Sequence, residues 1–254
     1  MTFQKKLEQA AKKNNSLLCV GLDIDLTKVP PVFQEGDNAI LAFNQHVIEA
    51  TKDLVCAYKP NIAFYERYGL LGLSSLIKTI ELIQKLEIPV ILDAKRGDIG
   101  NSSSAYADSI FKVFKADAVT VNPYMGHDSL KPFLEHKDKG VFVLCLTSNK
   151  GSSDFQTNLY KQVADKAKSW GSNVGLVVGA TKPEQLKEIR EIAPDSYFLI
   201  PGIGAQGGDL KSTLAAAGEK SIINASRSII YAEDIRGAAQ KLRDEINKTR
   251  SGGL

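Results

Sequence analysis

The chain has 254 residues, 43% of them hydrophobic and 24% charged, with 32 Lys and Arg against 29 Asp and Glu for a formal net charge of +3. That balance excludes a disordered, collagen-like or mucin-like chain, and no apolar run approaches the roughly 18 residues that a membrane span needs. The two signs of charge are interspersed and Trp170 and the tyrosines are scattered, so neither a basic patch nor a base-stacking platform for nucleic acid is visible.

From the N-terminus, Met1 to Glu8 lacks the continuous apolar stretch of a secretory signal. The first strand-like run is 17–22, followed by a plausible helix over 37–54 and a second run at 55–59. Leu73, Leu76, Ile77 and Ile80 then repeat at i, i+3, i+4 and i+7, the spacing of one helix face. A third run at 89–93 leads to a helix over 102–115, a fourth at 118–122 to a helix over 128–137, and a fifth at 141–147 to a helix over 158–170. After the sixth run, 174–178, Thr181-Lys182-Pro183-Glu184 reads as a capping box with an early proline, opening a helix toward Leu186 and Ile189. The last two runs are 197–200 and 221–224, and Ile235, Ala238, Ala239 and Leu242 carry the final helical stripe.

The runs are short and rich in Val, Ile and Leu, as strands buried on both faces of a parallel sheet are. Eight alternations of strand and helix, with right-handed crossovers between parallel neighbours, predict an α/β fold: a single (β/α)8 TIM barrel occupying residues 1–254 as one domain. An open doubly wound sheet is the alternative. Cys19, Cys56 and Cys145 each sit in an apolar run with no Cys-x-x-Cys, so they read as reduced core residues and place the chain in the cytoplasm.

A barrel of this kind does its chemistry at the C-terminal strand ends. The first strand ends at Asp23 and the second at Lys59. The third runs into Leu92-Asp93-Ala94-Lys95-Arg96-Gly97-Asp98-Ile99-Gly100. Alternate side chains share a face, so Asp93 and Lys95 are expected to point together into the mouth, with Asp98 following once Gly97 lets the chain turn. With Lys59 alongside, the charges alternate Lys, Asp, Lys, Asp, an array that tolerates partial burial because each charge has opposite partners. An ordinary ion-pair network at a barrel rim is the competing reading. The seventh strand runs into Pro201-Gly202-Ile203-Gly204-Ala205-Gln206-Gly207-Gly208-Asp209 and the eighth into Ser226-Arg227. Loops after strands seven and eight are the usual phosphate site of this fold, where glycines let N–H groups approach the anion and an arginine can clamp it. His46, His127 and His136 show no metal-ligand spacing, with His46 and His136 inside predicted helices. No metal site is expected.

The segment Asp93-Ala94-Lys95-Arg96-Gly97-Asp98-Ile99-Gly100 resembles the signature of the orotidine 5′-phosphate decarboxylase family, in its bacterial branch. Asn122-Pro123-Tyr124-Met125-Gly126, the 201–209 loop and Ser226-Arg227 are similar to that branch as well, in order from about Asp23 to Tyr231. The resemblance implies cofactor-free decarboxylation of orotidine 5′-monophosphate to uridine 5′-monophosphate, the last step of pyrimidine synthesis. It implies that Lys95 protonates C6 of the pyrimidine, that Asp93 lies near the departing carboxylate, and that Asp98 reaches the site of the partner subunit in a homodimer. It implies ribose contacts from Lys59 and Asp23, phosphate contacts from Gln206 and Arg227, and a reader of the pyrimidine edge in Thr147, with Ser148 beside it. The family often has Thr where this chain has Ser102; the hydroxyl is kept and the methyl is lost.

Two other readings stay open at this stage. Magnesium-dependent sugar-phosphate lyases such as hexulose-phosphate synthase share the Asp-x-Lys-x-x-Asp pattern, but by resemblance carry Glu where this chain has Lys59, which would repel the ion. A non-catalytic barrel that binds a phosphorylated ligand is the second.

Overall fold

The eight apolar runs form one sheet of eight parallel strands. The computed structural model describes residues 1–34, 38–203 and 209–251. A helix not foreseen in the sequence comes first: α1 (Phe3–Lys13) is capped by the Thr2 side chain, which accepts from the Lys5 N–H. Then follow β1 (Leu18–Leu22), α2 (Ala39–Thr51), β2 (Ala57–Pro60), the short α3 (Ala63–Glu66), α4 (Gly69–Lys85) and β3 (Ile91–Arg96). The second half comprises α5 (Gly100–Asp108), β4 (Ala118–Val121), α6 (His127–Leu134), β5 (Gly140–Leu146), α7 (Gln156–Ala167), β6 (Val174–Val178), α8 (Pro183–Ile192), β7 (Phe198–Pro201), α9 (Leu210–Ala217), β8 (Ser221–Ala225), the short α10 (Arg227–Ile230) and α11 (Ile235–Ser251).

The strand order β2-β1-β8-β7-β6-β5-β4-β3 is sequential around the sheet. Parallel bridges from Tyr58 to Val90 and from Asn61 to Asp93 join the two remaining edges. The result is the closed barrel, and the open doubly wound alternative is set aside. Those bridges give both terminal strands of that order a neighbour, so the sheet closes on itself.

One buried residue from each strand (Cys19, Ala57, Ile91, Ala118, Phe142, Val177, Leu199 and Ile222) packs into an inner cluster, together with Phe3 and Leu7 of α1. Thus α1 plugs the N-terminal end of the barrel. Phe3 meets Phe142 edge-to-face, with ring centroids 5.7 Å apart. A larger cluster, including Leu18, Val20, Val90, Leu92, Leu176, Ile200 and Ile223, lies between the strands and the helical ring. Side chains alternate between the two layers. Counting two residues onward from Cys19, Ala57, Ile91, Ala118 and Ile222 places Gly21, Lys59, Asp93, Thr120 and Asn224 on the inner face near the C-terminal mouth.

Several local expectations need correcting. No side-chain cap closes Lys182 at the start of α8, so the Thr181 to Glu184 capping box does not form, although Pro183 does occupy the first turn. The helix expected over 102–115 divides into α5 and a π-turn at Ser109–Val113. His136 lies beyond the end of α6 and packs against Phe111 with the two rings tilted, rather than sitting inside a helix. The early part of the helix expected over 37–54 includes Asp37, outside the described residues, and α2 itself opens with Asn38 capping the Leu41 N–H. All three cysteines are buried and unpaired; burial pushes the Cys19 and Cys145 thiols up to about 12. Among the described residues, no helix is long and apolar enough to cross a membrane.

Candidate active site

A cavity of about 200 Å³ opens at the C-terminal mouth, with Lys59, Asp93, Lys95, Thr120, Thr147 and Ser148 on its wall beside Leu144, Val177 and Leu199. The charged residues come from β2 and β3, Thr120 from β4, the apolar ones from β5 to β7, and Thr147 and Ser148 from the end of β5. Larger hollows occur elsewhere, such as one of about 450 Å³ against α1 lined by Lys13, Asn14 and Asp53, but they lack this convergence.

Asp93 is the hub. Its Oδ2 accepts from Lys59 Nζ at 2.9 Å and its Oδ1 from Lys95 Nζ at 2.6 Å and Thr120 Oγ1 at 2.9 Å. Lys59 is 4% exposed and Asp93 8%, whereas the Lys95 side chain is 48% exposed. Burial alone would raise the Asp93 carboxyl, but the Lys59 and Lys95 ammoniums outweigh it and hold it well below the usual carboxylate range. Burial likewise disfavours the Lys59 ammonium, and the Asp93 and Asp23 charges reverse that, leaving Lys59 above its ordinary value. Lys59 and Asp93 are therefore both held in their charged forms, and the half-exposed Lys95 side chain lines the cavity beside them.

Lys95 reaches this place through a distortion rather than through plain strand alternation. The β3–β4 register runs Leu92↔Val119 and then Arg96↔Val121, so the chain bulges between them, and Lys95 has φ +47°. A side-chain-bearing residue in the left-handed region costs on the order of 1 kcal/mol or more. Gly97 serves a different purpose from the turn expected of it: a Cβ there would lie 2.8 Å from the Asn122 carbonyl oxygen. The close approach is what requires glycine.

Asp98 is half-buried, its Oδ1 accepts from the Ile99 N–H at 2.8 Å, and it is not on the cavity wall. Ser102 is exposed on the first turn of α5, also away from the wall. Asp23 follows β1, and its Oδ1 is buried without a hydrogen-bond partner among the described residues. Thr147 is fixed by Gln156, whose Oε1 accepts from its N–H at 2.7 Å, and its hydroxyl donates to Asn149 Oδ1 at 2.6 Å. Arg227 is exposed at the start of α10, next to Ser226, whose hydroxyl donates to the Gly21 carbonyl at 3.1 Å. Gln206 lies outside the described residues. Gly202 has φ +103°, as a turn leaving β7 needs. No group of His, Cys, Asp and Glu able to hold a metal occurs among the described residues.

Three tyrosines escaped the sequence reading. Tyr65 donates to the Leu22 carbonyl at 3.0 Å, Tyr231 donates to the Asp23 carbonyl at 3.1 Å and accepts from Asp25 N–H at 2.7 Å, and Tyr68 accepts from Leu26 N–H at 3.0 Å. They hold the backbone on both sides of Asp23. No local pattern marks them, because they arrive from α3, its flank and the segment after α10. Thr120 was missed for another reason: one Thr in an apolar strand reads as a β-branched core residue.

The model of the Orotidine 5′-phosphate decarboxylase / HUMPS family matches residues 16–242. This chain belongs to that family. It is 52% identical to the orotidine 5′-phosphate decarboxylase of Dehalococcoides mccartyi, over 98% of this chain and 99% of that protein. The structure of Leishmania donovani OMP decarboxylase matches with a TM-score of 0.88 at 44% identity, covering 100% of both chains. The Methanocaldococcus jannaschii orotidine 5′-monophosphate decarboxylase, complexed with the inhibitor BMP, matches with a TM-score of 0.75 at 28% identity, over 91% of this chain and 98% of that one. Family membership spans the barrel from just before β1 into α11, so every strand end discussed above lies inside the matched region.

Proposed function

We propose that this chain decarboxylates orotidine 5′-monophosphate to uridine 5′-monophosphate and CO2, completing uridine monophosphate synthesis, and that it does so without a cofactor. The observation that carries this reading is the Lys59–Asp93–Lys95 array, buried at Lys59 and Asp93 and open to the cavity at Lys95, inside a decarboxylase-family barrel. By resemblance, the magnesium-dependent lyases carry a metal-ligating Glu where this chain has Lys59, and Lys59 is paired with Asp93 at 2.9 Å.

Breaking the bond from C6 to the carboxylate releases CO2 and leaves the electron pair on C6. The Lys95 ammonium faces the cavity and stabilises that developing anion electrostatically. It then gives C6 a proton, and the resulting amine regains one from water. Asp93 stays ionised between two lysines, so it faces the substrate carboxylate as an anion and keeps the Lys95 ammonium oriented. Asp23 Oδ1 is a buried acceptor suited to a ribose hydroxyl, and Lys59 a buried donor beside it; Ser102 is the further ribose contact. Thr147, with Ser148, reads the pyrimidine edge. Gln206 and Arg227 bind the phosphate, whose remote binding energy is expressed in the transition state.

The chain acts as one domain over residues 1–254, as a cytoplasmic homodimer with shared sites in which Asp98 completes the partner's site. That role fits its place off its own cavity wall. The test is absorbance on mixing with orotidine 5′-monophosphate: the orotate chromophore should disappear, and turnover should survive excess EDTA. No loss of chromophore with tight ligand binding would favour the non-catalytic barrel. Abolition by EDTA with rescue by Mg2+ would favour the lyase.

A further inference from the structure

Thr120 stands on the inner face of β4 and is 1% exposed. Its hydroxyl accepts from the N–H groups of Ala94 at 3.1 Å and Lys95 at 3.0 Å, and donates to Asp93 Oδ1 at 2.9 Å. A hydroxyl has one proton to give and two lone pairs to accept with. All three positions are spent, so Thr120 has nothing left for a ligand even though it lines the cavity. Its partners are the residues where β3 departs from the β4 ladder, between Leu92↔Val119 and Arg96↔Val121, and where Lys95 is held at φ +47°. One side chain thus takes the two N–H groups of the bulge and also grips the carboxylate oxygen that binds Lys95 Nζ at 2.6 Å.

We propose that Thr120 is a positioning residue for the decarboxylation: it locks the bulge that presents Lys95 and fixes the Asp93 carboxylate beneath it. The inference rests on the decarboxylase reading. Without the hydroxyl, the buried Ala94 N–H and the part-buried Lys95 N–H lose their acceptor, and Lys95 loses the tie that holds its backbone in a costly conformation. The pair drifts from its alignment while the phosphate and ribose contacts stay in place. Misplacement by a fraction of an ångström acts on the chemical step rather than on binding.

The experiment compares Thr120→Val, nearly the same shape without the hydroxyl, with Thr120→Ser, which keeps it. With orotidine 5′-monophosphate, Thr120→Val should lower kcat by roughly tenfold to a hundredfold, the size of a hydrogen bond to a charged group, with KM changed less than about threefold. Thr120→Ser should recover most of kcat. Should Thr120→Val not fold, Thr120→Cys, whose thiol is a weak donor and acceptor, should show the same selective loss. A kcat within twofold of the parent in the variant lacking the hydroxyl overturns the proposal, as does a Thr120→Ser enzyme as impaired as Thr120→Val, which would assign the effect to the methyl. A crystal structure of the Val or Cys variant supplies a readout independent of turnover: Lys95 should leave positive φ and its contact with Asp93 should lengthen. An unchanged Lys95 overturns the positioning role, whereas a parent enzyme silent toward orotidine 5′-monophosphate overturns the decarboxylase reading instead.

Discussion

Replacing Asp93 with Asn tests the charged array at its hub. In the folded chain Asp93 neutralises Lys59, which is 4% exposed, across 2.9 Å. The Asp93→Asn amide removes the charge and keeps the shape, leaving a buried ammonium with only Asp23 to offset it. Removing one partner of a buried pair costs about 3–5 kcal/mol. The Asp93–Lys95 contact adds little, since Lys95 is 48% exposed and readily solvated, and the amide still offers an oxygen acceptor, so the low end applies. At 2–4 °C per kcal/mol for a chain of this size, about 3 kcal/mol is a fall of roughly 6–12 °C in Tm at pH 7. The pH dependence carries a sign. The Asp93 carboxyl is depressed in the fold, so its stabilisation is complete above the unfolded value of about 3.9 and is lost as pH falls toward the folded value. The gap between parent and Asp93→Asn should therefore narrow from pH 7 to pH 3. Melting curves by circular dichroism at both pH values measure it. A variant as stable as the parent at pH 7, or a gap that does not shrink in acid, refutes the electrostatic account of the array.

Lys95→Ala should lower kcat by roughly 10⁴-fold or more, since it removes the general acid and the electrostatic partner of the C6 anion together; affinity for uridine 5′-monophosphate, measured alongside, should change far less. Arg227→Ala should reduce kcat/KM on the order of tenfold to a hundredfold through a lost charge-assisted contact, and a substrate without the phosphate should be indifferent to the change; equal impairment of both substrates would remove Arg227 from the phosphate site. Gly97→Ala places a Cβ 2.8 Å from the Asn122 carbonyl oxygen, so it should destabilise the chain by about 1–3 kcal/mol through forced backbone movement, seen as a lowered urea midpoint.

The barrel was legible because its signal is repeated. Eight Val-, Ile- and Leu-rich runs each bury both faces, and a slip of one or two residues at any end leaves the alternation intact. β6 was placed residue for residue, while β3 was cut short because Lys95 and Arg96 look like loop. The candidate site was legible where a charge stands at a strand end, as with Lys59 and Asp93 on the cavity wall. It was not legible where the physics is tertiary. The bulge at Lys95 depends on a hydroxyl 25 residues away on β4, and Asp23 is held by tyrosines up to 208 residues distant. The capping box failed for a related reason: Thr181 and Glu184 have the right spacing, but a motif proposes a hydrogen bond without determining the backbone that must make it. The same holds for α1, whose amphipathic face has meaning only once there is a barrel floor for Phe3 and Leu7 to close.

Asp98 gives the sharpest test of assembly. Within its own chain it turns to the Ile99 N–H and stands off the wall that carries Lys95, although it follows closely on the end of β3 at Arg96. Gly97 before it packs against the Asn122 carbonyl, Gly100 after it has φ +52°, and Ile99 between them is exposed. A twofold axis would make the exchange of such a segment reciprocal. Lys95→Ala chains and Asp98→Ala chains, each inactive alone, should then regain activity when mixed and allowed to exchange subunits. In every mixed dimer one site would carry both lesions and the other would be intact. Random pairing makes about half the dimers mixed, so roughly one quarter of parental activity should return. If Asp98 served its own chain, every site would keep one lesion and no activity would return. Absence of recovery, with exchange verified by mass spectrometry, would therefore dispose of the shared site while leaving the Lys59–Asp93–Lys95 chemistry untouched.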